Sequence, residues 1–120
     1  MFSAAVLDHF EHPRNAGSLP NVTVQAEATN PVCGDVLLLA ARVDSGCITA
    51  IRFLCRGCTT SIACASLLTE KLRGTKLDEV RSLTAESLSE ELGGLPPATF
   101  HGAQLAIDAL QMLLQRASHD

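Results

Sequence analysis

The sequence predicts an α+β fold, a three-stranded antiparallel sheet packed against helices. Three observations carry this expectation. Between residues 22 and 55 the apolar residues alternate with polar ones or gather in short β-branched runs. From residue 59 onward they recur at helical spacing instead. The chain has 120 residues, 47% of them hydrophobic and 18% charged, which suits a single domain, 1–120, around one core.

Each element has a local reason. Val6, Leu7 and Phe10 share helical spacing across residues 3–10, with Ser3 as N-cap. The helix must stop before Pro13, because the residue ahead of a proline avoids the α region. Residues 12–21 (HPRNAGSLPN) are dense in Pro, Gly, Asn and Ser and read as a loop. Residues 22–28 make the first strand, and Asn30-Pro31 breaks it. Residues 35–43 (DVLLLAARV) and 47–55 (CITAIRFLC) form a hairpin around the turn Asp44-Ser45-Gly46. Thr59 or Thr60 caps a helix whose apolar face runs through Ile62, Ala63, Ser66, Leu67 and Leu72 and ends at Gly74. Residues 77–83 and 85–92 are shorter helical pieces, the second capped by Thr84 and stopped by Gly93-Gly94. Leu95-Pro96-Pro97 is extended, since prolines lack the donor that a helix needs. The last helix covers residues 105–114, with Leu105, Ile107, Leu110 and Leu113 on its buried side. There is no internal repeat and no low-complexity segment.

Composition excludes several classes. Trp and Tyr are absent and Phe numbers four, so the core is aliphatic and a base-stacking nucleic-acid surface is not expected. A net charge of −4 leaves no basic footprint for a phosphate backbone. The longest apolar runs, such as residues 36–41, are far too short to cross a bilayer. The first residues lack the basic start of a secretory signal, so a cytoplasmic protein is expected. Five cysteines, an odd number, then fit reduced thiols serving as core residues, nucleophiles or metal ligands.

Ligand-type side chains concentrate at three element ends: Cys33 and Asp35 before a strand, Cys58 at a helix start, and His101 before the last helix. A thiolate at a helix N-terminus is stabilised by the dipole and the free N–H groups. Two thiolates, one imidazole and one carboxylate make a tetrahedral set for zinc, or a set able to hold iron. The spacing is not that of a compact zinc finger. Gly34, with no Cβ, lets the backbone swing Cys33 and Asp35 toward one metal.

Other polar residues have plainer readings. Cys55 and Cys58 form a C-x-x-C, yet no thioredoxin-type context precedes it, and Cys55 alternates with Ile51 and Phe53 as a packing residue would. It is nonetheless the spare thiol nearest to Cys58. Cys47 and Cys64 read as small core hydrophobes. His9 and His12 suit cations at the end of the first helix, and His119 belongs to a frayed tail. Asp78, Glu79, Glu86, Glu90 and Glu91 form a solvated face. Arg14 either docks a partner or keeps its loop soluble.

Four motifs then point to a known family. His12-Pro13-Arg14-Asn15-Ala16-Gly17 is similar to an N-P-R-N-x-G loop, and Asn30-Pro31-Val32-Cys33-Gly34-Asp35 to N-P-x-C-G-D. Gly57-Cys58 with the following TTSIACASLLTE resembles a second cysteine loop and its helix, and Leu95-Pro96-Pro97 resembles the start of L-P-P-V-K. Over nearly its whole length the chain resembles the IscU/NifU-type iron–sulfur cluster assembly scaffolds. The resemblance implies a SufE/IscU-like fold and a scaffold or carrier that is not an enzyme. Such proteins accept sulfur from a cysteine desulfurase, take iron, build a two-iron, two-sulfur cluster on three cysteines with the help of an Asp, and pass it to apo-proteins. Carried over by position, Cys33 and Cys58 are the first and second ligand cysteines, Asp35 the residue that keeps the cluster labile, and His101 the histidine before the third cysteine.

The sequence departs from the family at that third cysteine, where it has Gly102. One cluster ligand is thereby lost, together with the usual first acceptor of persulfide in IscU-type members. Ala98-Thr99 replaces the Val-Lys half of the motif read by an Hsp70-type chaperone, which argues against that partner. Phe2 stands where many members have Tyr. The four remaining donors, Cys33, Asp35, Cys58 and His101, suit zinc and hold a cluster less firmly than three thiolates. A zinc-containing sulfur carrier and a degenerate regulatory member are therefore the alternatives to a scaffold. Monomer and homodimer are both compatible with the sequence.

Overall fold

Ser3 begins the first helix and ties it to Leu92, 89 residues further along the chain. In the computed structural model, which describes residues 2–118 apart from the side chain of Ser118, helix α1 (Ala4–Glu11) is capped by the Ser3 hydroxyl. That hydroxyl accepts the Val6 N–H at 3.1 Å and donates to the Leu92 carbonyl at 2.6 Å. His119 lies outside the described residues.

Three strands follow: β1 (Val24–Thr29), β2 (Val36–Asp44) and β3 (Cys47–Arg56), antiparallel throughout in the order β1-β2-β3. The hairpin turn has positive φ at both Ser45 (53°) and Gly46 (76°), the mirror-image turn whose twist matches that of its flanking strands. β1 starts two residues later than the alternation suggested: Asn21 takes a left-handed conformation (φ 57°), and regular pairing begins only at Val24, opposite Ala41. Val24, Ala26, Ala28, Leu37, Leu39, Ala41, Ile51 and Phe53 form the inner face of the sheet.

The helices α2 (Thr59–Leu72), α3 (Leu77–Val80), α4 (Ala85–Glu91) and α5 (His101–Ser118) complete the chain. The α2 helix is central, packed against β3, α1, α4 and α5. It can be so because Ala63, Cys64, Ala65 and Ser66 are fully buried, and these small side chains let neighbours approach closely from several sides. The core is aliphatic, as composition requires, with Phe53 as its buried aromatic residue.

Several helix boundaries differ from expectation, and the last helix also runs four residues further than expected, to Ser118. The N-cap of α2 is Cys58, in extended conformation, rather than Thr59 or Thr60. Thr60 is instead inside the first turn, buried and without a hydrogen-bond partner for its hydroxyl. Of residues 77–83, only Leu77–Val80 is helical. The last helix begins at His101, four residues early, because a turn opened by Pro96 feeds it directly: Phe100 N–H donates to Pro96 O at 3.1 Å and Ala103 N–H to Phe100 O at 3.0 Å. Gly102, a poor helix former, hid that first turn. Thr84 caps α4 as expected, in a reciprocal capping box with Ser87.

Both edges of the sheet are covered at defined points. Along β3, Phe53 exchanges backbone hydrogen bonds with Asn15 and Gly17, each 2.9 Å, and Ile48 with Thr75 and Gly74 at 2.9 and 2.7 Å. Along β1, the Arg116 guanidinium donates to the Gln25 carbonyl at 3.1 Å. Among the described residues, no helix is long and apolar enough to cross a membrane.

Candidate metal and cluster site

The loop between β1 and β2 is folded by Asn30. Its side-chain oxygen accepts the N–H groups of Val32 (2.9 Å) and Cys33 (3.3 Å), and its backbone pairs with Gly34 and Asp35 at 2.8 Å each. Gly34 makes the return with a φ of +77°, a conformation that side chains with a Cβ rarely adopt. Cys33 is thereby left exposed while Asp35 turns inward, and Val32 beside them is 94% exposed.

Three chain segments meet at this corner. Cys33, Asp35 and His101 can each offer one ligand atom, and these atoms all lie within 4.8 Å of one another. Cys58 joins them through His101, its Sγ 3.8 Å from Nε2. His101 Nε2 is also 3.7 Å from Asp35 Oδ2. All four residues singled out in the sequence thus converge, Cys58 at the margin of the tighter trio. Burial pushes the Asp35 carboxyl up, but hydrogen bonds from Ser61, the Cys58 backbone and Cys33, with the charge of His101, outweigh it. The carboxyl is held below its ordinary value and stays ionised at neutral pH.

The description of the NifU-like N-terminal domain matches residues 1–117. The chain belongs to that family. The iron–sulfur cluster assembly scaffold protein IscU 1 of Archaeoglobus fulgidus is 38% identical over 111 residues, 92% of this chain and 72% of that one. The protein of the same description, IscU, from Escherichia coli strain K12 is 40% identical over 114 residues, 92% of this chain and 88% of its own. The crystal structure of an N-terminal NifU-like protein from Brucella abortus shares the fold, with a TM-score of 0.80 at 16% identity, covering 98% of this chain and 94% of that one.

Beside Gly102, already noted at the third-cysteine position, Gly57 and Ser61 stand out, to which the sequence reading gave no role in the site. A Cβ on Gly57 would lie 2.9 Å from both Cγ and Oδ2 of Asp35, so only glycine lets the carboxylate sit where it does. A Cβ on Gly102 would lie 3.1 Å from Ser61 N and 3.2 Å from its Cα. The position of the family's third cysteine is therefore packed against the backbone that starts α2. Ser61 itself donates to Asp35 Oδ2 at 2.7 Å and lies 3.4 Å from Cys58 Sγ. No local pattern announces these roles, although Gly57 next to a candidate ligand was a visible cue.

The other thiols stay apart from the donor group. Burial, then the negative charges of Asp35 and Cys58, push the Cys55 thiol up to about 12. Burial, then Cys58 and Cys55, likewise raise Cys64 to about 12. Both are protonated at neutral pH, as packing residues are. Cys47 is half-buried.

The N-terminal loop has its own polar network, and here one expectation is corrected. His9 is 8% exposed, with Nδ1 2.8 Å from Ser66 Oγ. Burial and the neighbouring Arg14 charge lower its pKa, outweighing the opposite pull of Glu70, Asp8 and Glu91. It is a neutral buried group, not a cation at a helix end. Arg14 is held in place by its own chain. Its guanidinium pairs with Asp8 at 2.8 Å and Glu70 at 3.7 Å, and its N–H donates to Ser66 Oγ at 2.8 Å. Thr69 Oγ1 donates toward the Arg14 carbonyl at 3.1 Å and accepts from Asn15 Nδ2 at 3.3 Å.

Proposed function

We propose that the protein is an iron–sulfur cluster assembly scaffold, with Cys33, Asp35, Cys58 and His101 as the ligands of its cargo. The observation that carries this reading is the meeting of these donors, from three separate chain segments, at one solvent-accessible corner. Iron and sulfide must enter and a finished cluster must leave, so an exposed site at loop ends suits the task better than a closed one. The two thiolates supply the soft donors that iron–sulfur clusters require, and the imidazole completes the shell. Asp35, ionised and oxygen-donating, is the weakest partner for such a cargo and the natural point of release. Sulfur would come from a cysteine desulfurase and clusters would pass to apo-proteins. The chain itself would turn over no substrate and would work in the reducing cytoplasm, where free thiols persist.

Gly102 favours a second reading. With two thiolates, one imidazole and one carboxylate, the donor set is complete for tetrahedral zinc. The protein would then carry sulfur as a persulfide on Cys33 or Cys58 and build no cluster.

Anaerobic purification followed by iron, zinc and acid-labile sulfide analysis separates the two readings. The scaffold reading expects iron and sulfide in near-equal amounts with visible charge-transfer bands, lost in both Cys33→Ala and Cys58→Ala. Zinc without sulfide, with a sulfur adduct on either cysteine, establishes the carrier instead. Metal content and absorbance unchanged by both substitutions overturn the site. No metal at all, together with partner binding, identifies a regulatory member.

A further inference from the structure

Ser61 lies at the centre of the site without being one of its donors. It is 1% exposed and sits in the first turn of α2. Its hydroxyl donates to Asp35 Oδ2 at 2.7 Å and faces Cys58 Sγ at 3.4 Å. Two glycines frame it. A Cβ on Gly57 would stand 3.1 Å from Ser61 Cβ, and one on Gly102 would stand 3.1 Å from Ser61 N. Both neighbouring positions therefore lack the side chain that would press on it.

We propose that Ser61 is a positioning residue that holds the Asp35 carboxylate turned into the donor cluster, and so sets metal affinity without touching the metal. This rests on the ligand assignment made above. A carboxylate on a flexible side chain must be immobilised to act as a ligand, and hydrogen bonds from outside the ligand shell do this in metal sites. The Ser61 bond is short, and hydrogen bonds from a hydroxyl to a carboxylate are among the stronger ones. It also binds Oδ2, the oxygen that faces His101. The carboxylate is thereby aimed at the space shared with the imidazole. The same hydroxyl reaches Cys58, so one buried group touches two of the four donors.

The test is zinc affinity, measured by chelator competition on the whole chain, for Ser61→Ala, Asp35→Ala and the double variant. Ser61→Ala is expected to bind zinc about tenfold more weakly, the usual scale for losing an outer-shell partner. In the Asp35→Ala background the same substitution is expected to change affinity by less than about twofold, because the group it positions is gone. Cobalt-loaded Ser61→Ala should keep its thiolate-to-cobalt charge-transfer band, which shows that both cysteines still bind. An equal loss with and without Asp35, or Ser61→Ala binding like the parent, overturns the proposal. So does Asp35→Ala binding zinc as well as the parent. A parent chain that binds no zinc removes the ligand assignment and this proposal together, whereas a binding parent with an unaffected Ser61→Ala removes the proposal alone.

Discussion

The α2 helix carries two serine-centred polar networks, and they differ in how completely they are closed. Around Ser66, His9 Nδ1 and the Arg14 N–H are both satisfied at 2.8 Å, and Thr69 holds the Arg14 carbonyl. Around Ser61, five residues earlier, the hydroxyl serves Asp35 and faces Cys58 Sγ, while Cys33, Asp35 and His101 bring ligand atoms within 4.8 Å of one another and Cys58 Sγ stands 3.8 Å from His101 Nε2. The first network spends its polar groups on each other and fixes the N-terminal loop. The second leaves donor atoms aimed at a common space. Closed networks specify structure, and open ones are where chemistry can enter.

Three substitutions or conditions probe that division. Ser66→Ala should have the largest effect, because it strands a buried imidazole nitrogen and a backbone N–H. Unfolding free energy from urea titration should fall by about 2–6 kcal/mol, at about 1–3 kcal/mol for each of the two unpaired groups. Zinc affinity should hardly change, and a parallel loss of affinity would break the separation between the two networks. Gly57→Ala should do the reverse. Its methyl must displace the Asp35 carboxylate, so chelator competition should read about tenfold weaker zinc binding, with a smaller change in urea midpoint than Ser66→Ala produces.

The smallest effect concerns pH. His9 has a folded-state pKa below its ordinary 6.5, so the unfolded chain binds a proton that the folded one resists. This group therefore costs nothing well above 6.5 and weakens the fold progressively as pH falls below it, until the folded-state pKa is reached. Melting temperatures of the parent and His9→Gln at pH 7.5 and 5.5 check this, and the parent should lose more on acidification. Equal losses would mean that His9 is not the buried neutral group described.

Much of this was legible beforehand, for reasons that differ by residue. Ser3 and Thr84 announced helix starts because a cap is a local device, and Asp44-Ser45-Gly46 announced a hairpin because its φ values demand such residues. Cys33, Asp35, Cys58 and His101 stood out as ligand types at element ends and through the family motifs. Ser61 was invisible, since its role arises where the starts of α2 and α5 and the β1–β2 loop approach each other, with no trace in any one segment. His9 was misread although the signal was present. It follows Val6 by three residues, on the face that packs against α2, so burial and not the helix dipole governs its charge.

A sheet of three strands would ordinarily offer its two rims to any extended chain that came near. Here the β3 rim is interrupted by the 15–17 loop at one end and by Gly74 and Thr75 at the other, while Arg116 holds a carbonyl on the short β1 rim. Strand addition is thus disfavoured on both sides, as is the stacking of one copy onto the next. Partners that recognise the shape and side chains of its surface are thereby favoured over those that add a strand. Crowding at high concentration meets rims already engaged by the chain itself, at the β3 ends and at Gln25.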